Sequence, residues 1–289
     1  MNLLEQQRMR DRRAYEEGIK FLLQFDGLTE SILESYFQPD SQARALTIGG
    51  IYEKMLLSAT NVGRNINTVK KHLGHAWGNS VQQEEWLLTK SKVCAFMPKK
   101  IIETYGDNPA NWHMVWHTIR PNTAIPPRTV MRFCQTVISA ASFIAQFHSA
   151  DDFYDWIEFF DRDVRARAAL PMLIENEVVG YGFALACDFI KDLGYANFPK
   201  PDLHLEDICK GLGLCSQQAN MFQVYKAIIR AAGNAEVTPY AFDRVFYLIG
   251  SGNLFNHVQL RAKLESMVNR KKIFIEKGRN ILQNENLLL

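Results

Sequence analysis

Apolar residues recur every three to four positions along nearly the whole chain, and that periodicity most narrowly limits what it can fold into. Segments such as "YEEGIKFLLQF", "VMRFCQTVISAASFIAQF", "NMFQVYKAIIRAA" and "FDRVFYLIG" each carry an apolar stripe of helical period, whereas strand-like alternation is hard to find. An all-α protein is expected, a two-lobed helical bundle. The punctuation agrees. Ser216 can cap the helix that follows it, Thr238-Pro239 supplies an N-cap and a first-turn proline, and Gly250 can close that last helix. Three prolines in "RPNTAIPPRTV" interrupt two helical stretches, and Pro126-Pro127 can open the second. A lobe boundary is expected near that loop. Three segments are expected: a helical region at 1–105 without recognisable chemistry, a core at 106–255 and a basic helical tail at 256–289. No internal repeat or low-complexity tract stands out.

Hydrophobic residues make up 47% of the 289, enough for one large core or two smaller ones. The net charge of +2 neither demands a polyanionic partner nor excludes one, since a basic face can sit inside a balanced total. Five cysteines without paired CxxC spacing read as buried free thiols in a reducing compartment. The start "MNLLEQQRMRDRRAYEEG" is charged where a signal peptide would be apolar, and no apolar run is long enough to span a bilayer. A cytoplasmic protein is expected.

One stretch carries chemistry. Val178-Val179-Gly180-Tyr181-Gly182 reads as a tight turn whose glycines permit a backbone path that side chains would block. The helix "FALACDFIKDLG" begins at this turn. A helix N-terminus presents unpaired N–H groups and a partial positive charge, which suits a phosphate. By itself, GxG is more often a plain turn between helices. Downstream, Phe198-Pro199-Lys200-Pro201 forms a proline-bounded turn that delivers Asp202 and His204 at the start of "LHLEDICKGLG".

This order of residues resembles the helix-hairpin-helix DNA glycosylase superfamily, which includes endonuclease III and the adenine-mismatch and oxoguanine glycosylases. Its pattern reads roughly L-P-G-V-G-x-K-T-A, then a helix, then an aspartate often followed by x-H. Val178 to Ala186 lies on the hairpin, Asp202-Leu203-His204 falls where the family keeps its catalytic aspartate, and the interval between them fits. A second similarity lies in Pro239, Asp243, Arg244 and Gly250, which look like the P-x-x-x-D-R-x-x-W-x-x-G helix of some members. The resemblance spans about residues 110–255, and only the stretch from hairpin to aspartate is specific.

The resemblance implies a DNA glycosylase in which Asp202 is catalytic. It implies that Val179, Gly180, Tyr181, Gly182, Lys200 and His204 contact DNA, the hairpin through its backbone. Trp112 and Trp116, at helical spacing with His113 and His117, are candidates for lining the base pocket, and Asn122 for the wedge that fills the gap. Ala184 stands where lyase-competent members place a lysine, so no Schiff base can form there. Lys200 is the nearest substitute in sequence. The four-cysteine cluster motif of the endonuclease III branch is missing, so no iron-sulfur cluster is expected. His204 has no second ligand at metal spacing, and no metal is expected. The implied partner is double-stranded DNA carrying a modified base, bound by a monomer, in base-excision repair or in defence against modified phage DNA. The residues alone leave other readings open. Asp202 is also a good N-cap, the aromatic pair can be core, and the chain can be a non-catalytic DNA-binding protein or an interaction scaffold.

Overall fold

The computed structural model describes residues 2–40, 43–60, 96–119 and 125–288, and every regular element among them is helical. The all-α expectation holds. No described helix is long and apolar enough to cross a membrane. Two compact units are present: Met1–Gln42 with Gly194–Leu289, and Ala43–Leu193.

The first unit opens with α1 (Leu3–Leu23), capped by Asn2, and a short α2 (Glu30–Glu34), capped by Thr29. The chain then builds the second unit. It comprises α3 (Ile48–Ala59), α4 (Pro98–Tyr105), a 3-10 turn at Pro109–Asn111, α5 (Trp112–Ile119), α6 (Arg128–Ile144), α7 (Ala150–Asp161), α8 (Ala169–Glu177) and α9 (Phe183–Asp192). Pro127 is the N-cap residue of α6, as the sequence suggested. This helix is the centre of the second unit. Val130, Phe133, Val137, Ile138, Ala141 and Ile144 are all buried on it, and α3, α4 and α5 pack against it. The buried Tyr52 hydroxyl donates to Val137 O at 2.8 Å, so this ring enters the core with its polar end satisfied. Part of "DFYDWIEFF" is core as well. Phe153 and Ile157 are fully buried; Phe153 lies edge-on to Phe147, and Trp156 lies tilted against it.

The chain completes the first unit with α10 (Leu203–Gly211), α11 (Met221–Asn234), α12 (Pro239–Ser251), α13 (Val258–Ser266) and α14 (Arg270–Asn284). The buried face of α1, with Ala14, Phe21 and Leu22, packs against α11, α12 and α14. Units therefore form across the sequence and do not follow the segments 1–105, 106–255 and 256–289. A stripe on α1 announces that it needs a partner; nothing local says that the partner lies two hundred residues away. The basic tail is likewise integral to this unit. Arg270 is buried and donates to Ile249 O at 2.6 Å and to Leu264 O, covering the last carbonyls of α12 and α13.

Two expected caps move. Asn220, not Ser216, caps α11, because Asn220 and Gln223 form a reciprocal capping box while the Ser216 hydroxyl accepts from Gln218 N. Gly250 lies inside α12, which ends at the left-handed Gly252 (φ +75°). Position 250 still needs glycine, since a Cβ there would stand 2.5 Å from the His204 side chain.

Candidate functional site

The glycine turn at 178–182, between α8 and α9, belongs to the second unit and is held by α6. Thr136 Oγ1 donates to Val179 O at 2.6 Å, and Val179 N donates to Ser139 Oγ at 3.0 Å, so one hydroxyl on each side fixes the same peptide segment. Gly180 has φ +98°, a region that L side chains rarely adopt, and a Cβ there would stand 2.4 Å from Thr136 Oγ1. Gly182 differs. It is the extended N-cap of α9 (φ −121°), and the nearest atom to an added Cβ is Glu175 Oε1 at 3.9 Å. Only the first of the two glycines is required by the backbone.

That contrast predicts unequal costs. Gly180→Ala should lower stability by about 2–3 kcal/mol, combining positive-φ strain with displacement of the Thr136 hydroxyl. Gly182→Ala should cost under about 1 kcal/mol, the ordinary difference between glycine and alanine at an N-cap. Thermal unfolding of both variants reads this directly. Equal losses would contradict the assignment.

The Tyr181 ring is buried, and its hydroxyl donates to Met55 O at 2.6 Å; burial pushes its pKa well up. Its backbone N–H is bound to Val178 O at 3.0 Å. The amides of Val179 and Tyr181 are therefore occupied inside the protein. No side chain caps α9, and the N–H groups of Gly182 and Ala184 have no partner among the described residues. These are the amides a phosphate could use.

Beside Gly180 lies a cavity of about 150 Å³, lined also by Arg128, Arg132, Thr136 and Phe133. Arg128 and Arg132 stand one helical turn apart on α6, exposed, and neither makes an ion pair among the described residues. Sequence reasoning passed over them. The i,i+4 spacing in "PPRTVMR" was the available signal.

Asp202, Lys200 and His204 belong to the first unit. Asp202 is the N-cap of α10: its Oδ1 accepts from His204 N at 2.8 Å and Leu205 N at 3.1 Å. Its Oδ2 has no hydrogen-bond partner among the described residues. Asp202 is half-buried. The turn before it is pinned by Asp243, a buried carboxylate of α12 whose Oδ2 accepts from Lys200 N at 2.7 Å. Asp243 thus holds the segment that delivers Asp202, a role the sequence did not reveal because the two partners stand 43 residues apart.

His204 is half-buried, packed edge-on to Tyr247 with ring centroids 6.3 Å apart, and its Nδ1 is enclosed without a hydrogen-bond partner. Burial lowers its pKa, against the opposing pull of Asp202. The ring packs between α10 and α12, against Tyr247 and Gly250.

Among the remaining candidates, Trp116 is 5% exposed and belongs to the core of the second unit, whereas Trp112 is half-buried and lies edge-on to His113. Asn122 lies outside the described residues. Cys134, Cys187 and Cys209 are buried free thiols, Cys134 pushed up to about 12 by burial, and Cys215 is half-buried. Cys94 lies outside the described residues. No group of three or more His, Cys, Asp or Glu that could hold a metal occurs among the described residues. Comparison of the chain with protein-family models, with curated proteins and with solved structures finds no match.

Proposed function

We propose that this chain is a monofunctional DNA glycosylase that hydrolyses the N-glycosidic bond of a damaged or modified base rotated out of the duplex, leaving an abasic site. The observation that carries the reading is Asp202 itself. One carboxylate oxygen caps α10 and is thereby fixed, while the other has no partner among the described residues. It comes after a glycine turn, an uncapped helix N-terminus and a proline-bounded turn, in the order and at the interval of the helix-hairpin-helix glycosylases that the sequence resembles.

The chemistry follows from that carboxylate. As the base leaves, positive charge builds on the deoxyribose, and a fixed carboxylate beside it stabilises the cation and positions water for attack. The base must first leave the stack, because the glycosidic bond is out of reach inside it. The free amides of Gly182 and Ala184 would hold a backbone phosphate, with Arg128 and Arg132 adding charge. Such contacts position the duplex without reading sequence. Damaged bases in repair and modified phage bases in defence both fit this chemistry, and no cofactor enters it.

A second reading is a non-catalytic DNA-binding protein. The two N–H bonds at Asp202 Oδ1 favour it, since a purely structural cap makes the same bonds. Incubation with a panel of duplexes carrying different modified bases, followed by alkali, separates the two. Alkali-dependent breaks at one lesion support the glycosylase; binding without breaks at any lesion supports the alternative.

Ala184 adds a further expectation. A bifunctional glycosylase attacks the sugar with an amine, and borohydride traps the resulting imine. With alanine at that position, no covalent protein–DNA band should form on the cleaved lesion, and the product strand should stay intact until alkali is applied. A trapped band that disappears in Lys200→Ala would make Lys200 the nucleophile instead.

A further inference from the structure

A cationic cavity lies in the first unit, at the far end of α10 from Asp202. It measures about 520 Å³, and Arg10, Lys210, Arg230 and Arg279 all line it, together with the turn that follows α10. α10 has nine residues, so about 13 Å of helix separates this cavity from the Asp202 cap.

The countercharges do not balance. Lys210 is paired with Glu206 at 2.6 Å. Arg10 and Arg230 share a single carboxylate, that of Asp11, at 3.2 and 2.8 Å. Asp11 is fully buried and also accepts from Asn234 Nδ2 at 2.8 Å, so its charge is divided three ways. Arg279 is exposed and makes no ion pair among the described residues. Arg10 is only 3% exposed. Its pKa is lowered first by burial, with Asp11 pulling it up and Arg230 pushing it down. A buried guanidinium without full compensation is costly, and a bound anion would supply what Asp11 alone does not.

We propose that this cavity binds a phosphate-type oxyanion, with Arg10 and Arg230 on its wall and Arg279 as a further exposed cation. Guanidinium forks match the geometry of phosphate oxygens, and paired arginines give directional as well as electrostatic recognition. The volume falls in the range of small-molecule pockets, so the phosphate can carry a substituent of nucleotide size. Two sources present that chemistry: a free phosphate compound such as a nucleotide, or a phosphate of a DNA strand. The inference stands independently of the proposed glycosylase reaction.

The test measures thermal unfolding of the full chain against inorganic phosphate and a deoxynucleoside monophosphate, with chloride at matched ionic strength as control. Saturable stabilisation by phosphate beyond chloride is expected. Arg279→Gln, an exposed change that leaves the buried network intact, should weaken apparent phosphate binding about tenfold, the effect of losing one charge-assisted contact. Arg261→Gln, which removes an exposed arginine outside the cavity, should leave it unchanged. Duplex binding by fluorescence anisotropy then identifies the source. If phosphate competes with duplex and Arg279→Gln weakens both, the site takes a DNA phosphate; if duplex binding is unaffected, it takes a free phosphate compound. No stabilisation beyond chloride, or equal stabilisation of the wild type and Arg279→Gln, would overturn the proposal.

Discussion

Asp202→Asn should bind duplex DNA like the parent and lose base excision by roughly 10²–10³, because removing one preorganised electrostatic partner of a developing charge costs about 3–4 kcal/mol in the transition state. The structure makes this substitution well suited to the question. Asparagine is as good an N-cap as aspartate, so its side-chain oxygen can keep the bonds from His204 N and Leu205 N that hold α10 in place. What is removed is the charge, and with it the carboxylate oxygen that has no partner among the described residues. Single-turnover excision measured beside duplex affinity separates the two effects. Unchanged excision would leave Asp202 as a cap and nothing more.

The largest expected loss of stability comes from Asp11→Ala. Asp11 is fully buried and receives Arg10, Arg230 and Asn234. Removing one partner of a buried ion network leaves the other charges uncompensated, at a cost of about 3–5 kcal/mol. For a chain of this size, that lowers the melting temperature on the order of 10 °C. Asp11→Asn retains an acceptor for Asn234 and the guanidiniums but not the charge, and should fall between the parent and Asp11→Ala. Thermal unfolding of the three proteins gives the order, and an Asp11→Ala melting temperature within a degree or two of the parent would refute the network's role.

The features that proved legible in the sequence are those that neighbouring residues determine. Helical periodicity gave the fold class, Thr238-Pro239 gave the start of α12, and Pro126-Pro127 gave the start of α6. The position of the glycine turn could also be read, since a turn between two apolar helices is punctuated by its own glycines. Which glycine the turn requires could not. That depends on the Thr136 hydroxyl, which reaches Val179 O from 43 residues upstream. The role of Asp243 as acceptor for Lys200 N could not be read for the same reason: it lies in what the side chain approaches in space. Trp116 is an aromatic on a helical stripe whose spacing leaves a core ring and a stacking platform equally open, and the fold buries it. Ser216 and Gly250 were reasonable local choices displaced by stronger neighbours, the Asn220–Gln223 capping box and the left-handed Gly252.

Hydrolysis of a glycosidic bond by way of Asp202 would release the free base, which can be detected. DNA carrying alkylated, oxidised and phage-type modified bases is incubated with the protein, and the small-molecule filtrate is analysed by mass spectrometry. At least one modified base should accumulate as the free base, the DNA it leaves should remain intact until alkali is added, and Asp202→Asn should suppress the release by roughly 10²–10³. Absence of any free base above the no-protein control, or equal release by Asp202→Asn, would contradict hydrolysis through Asp202.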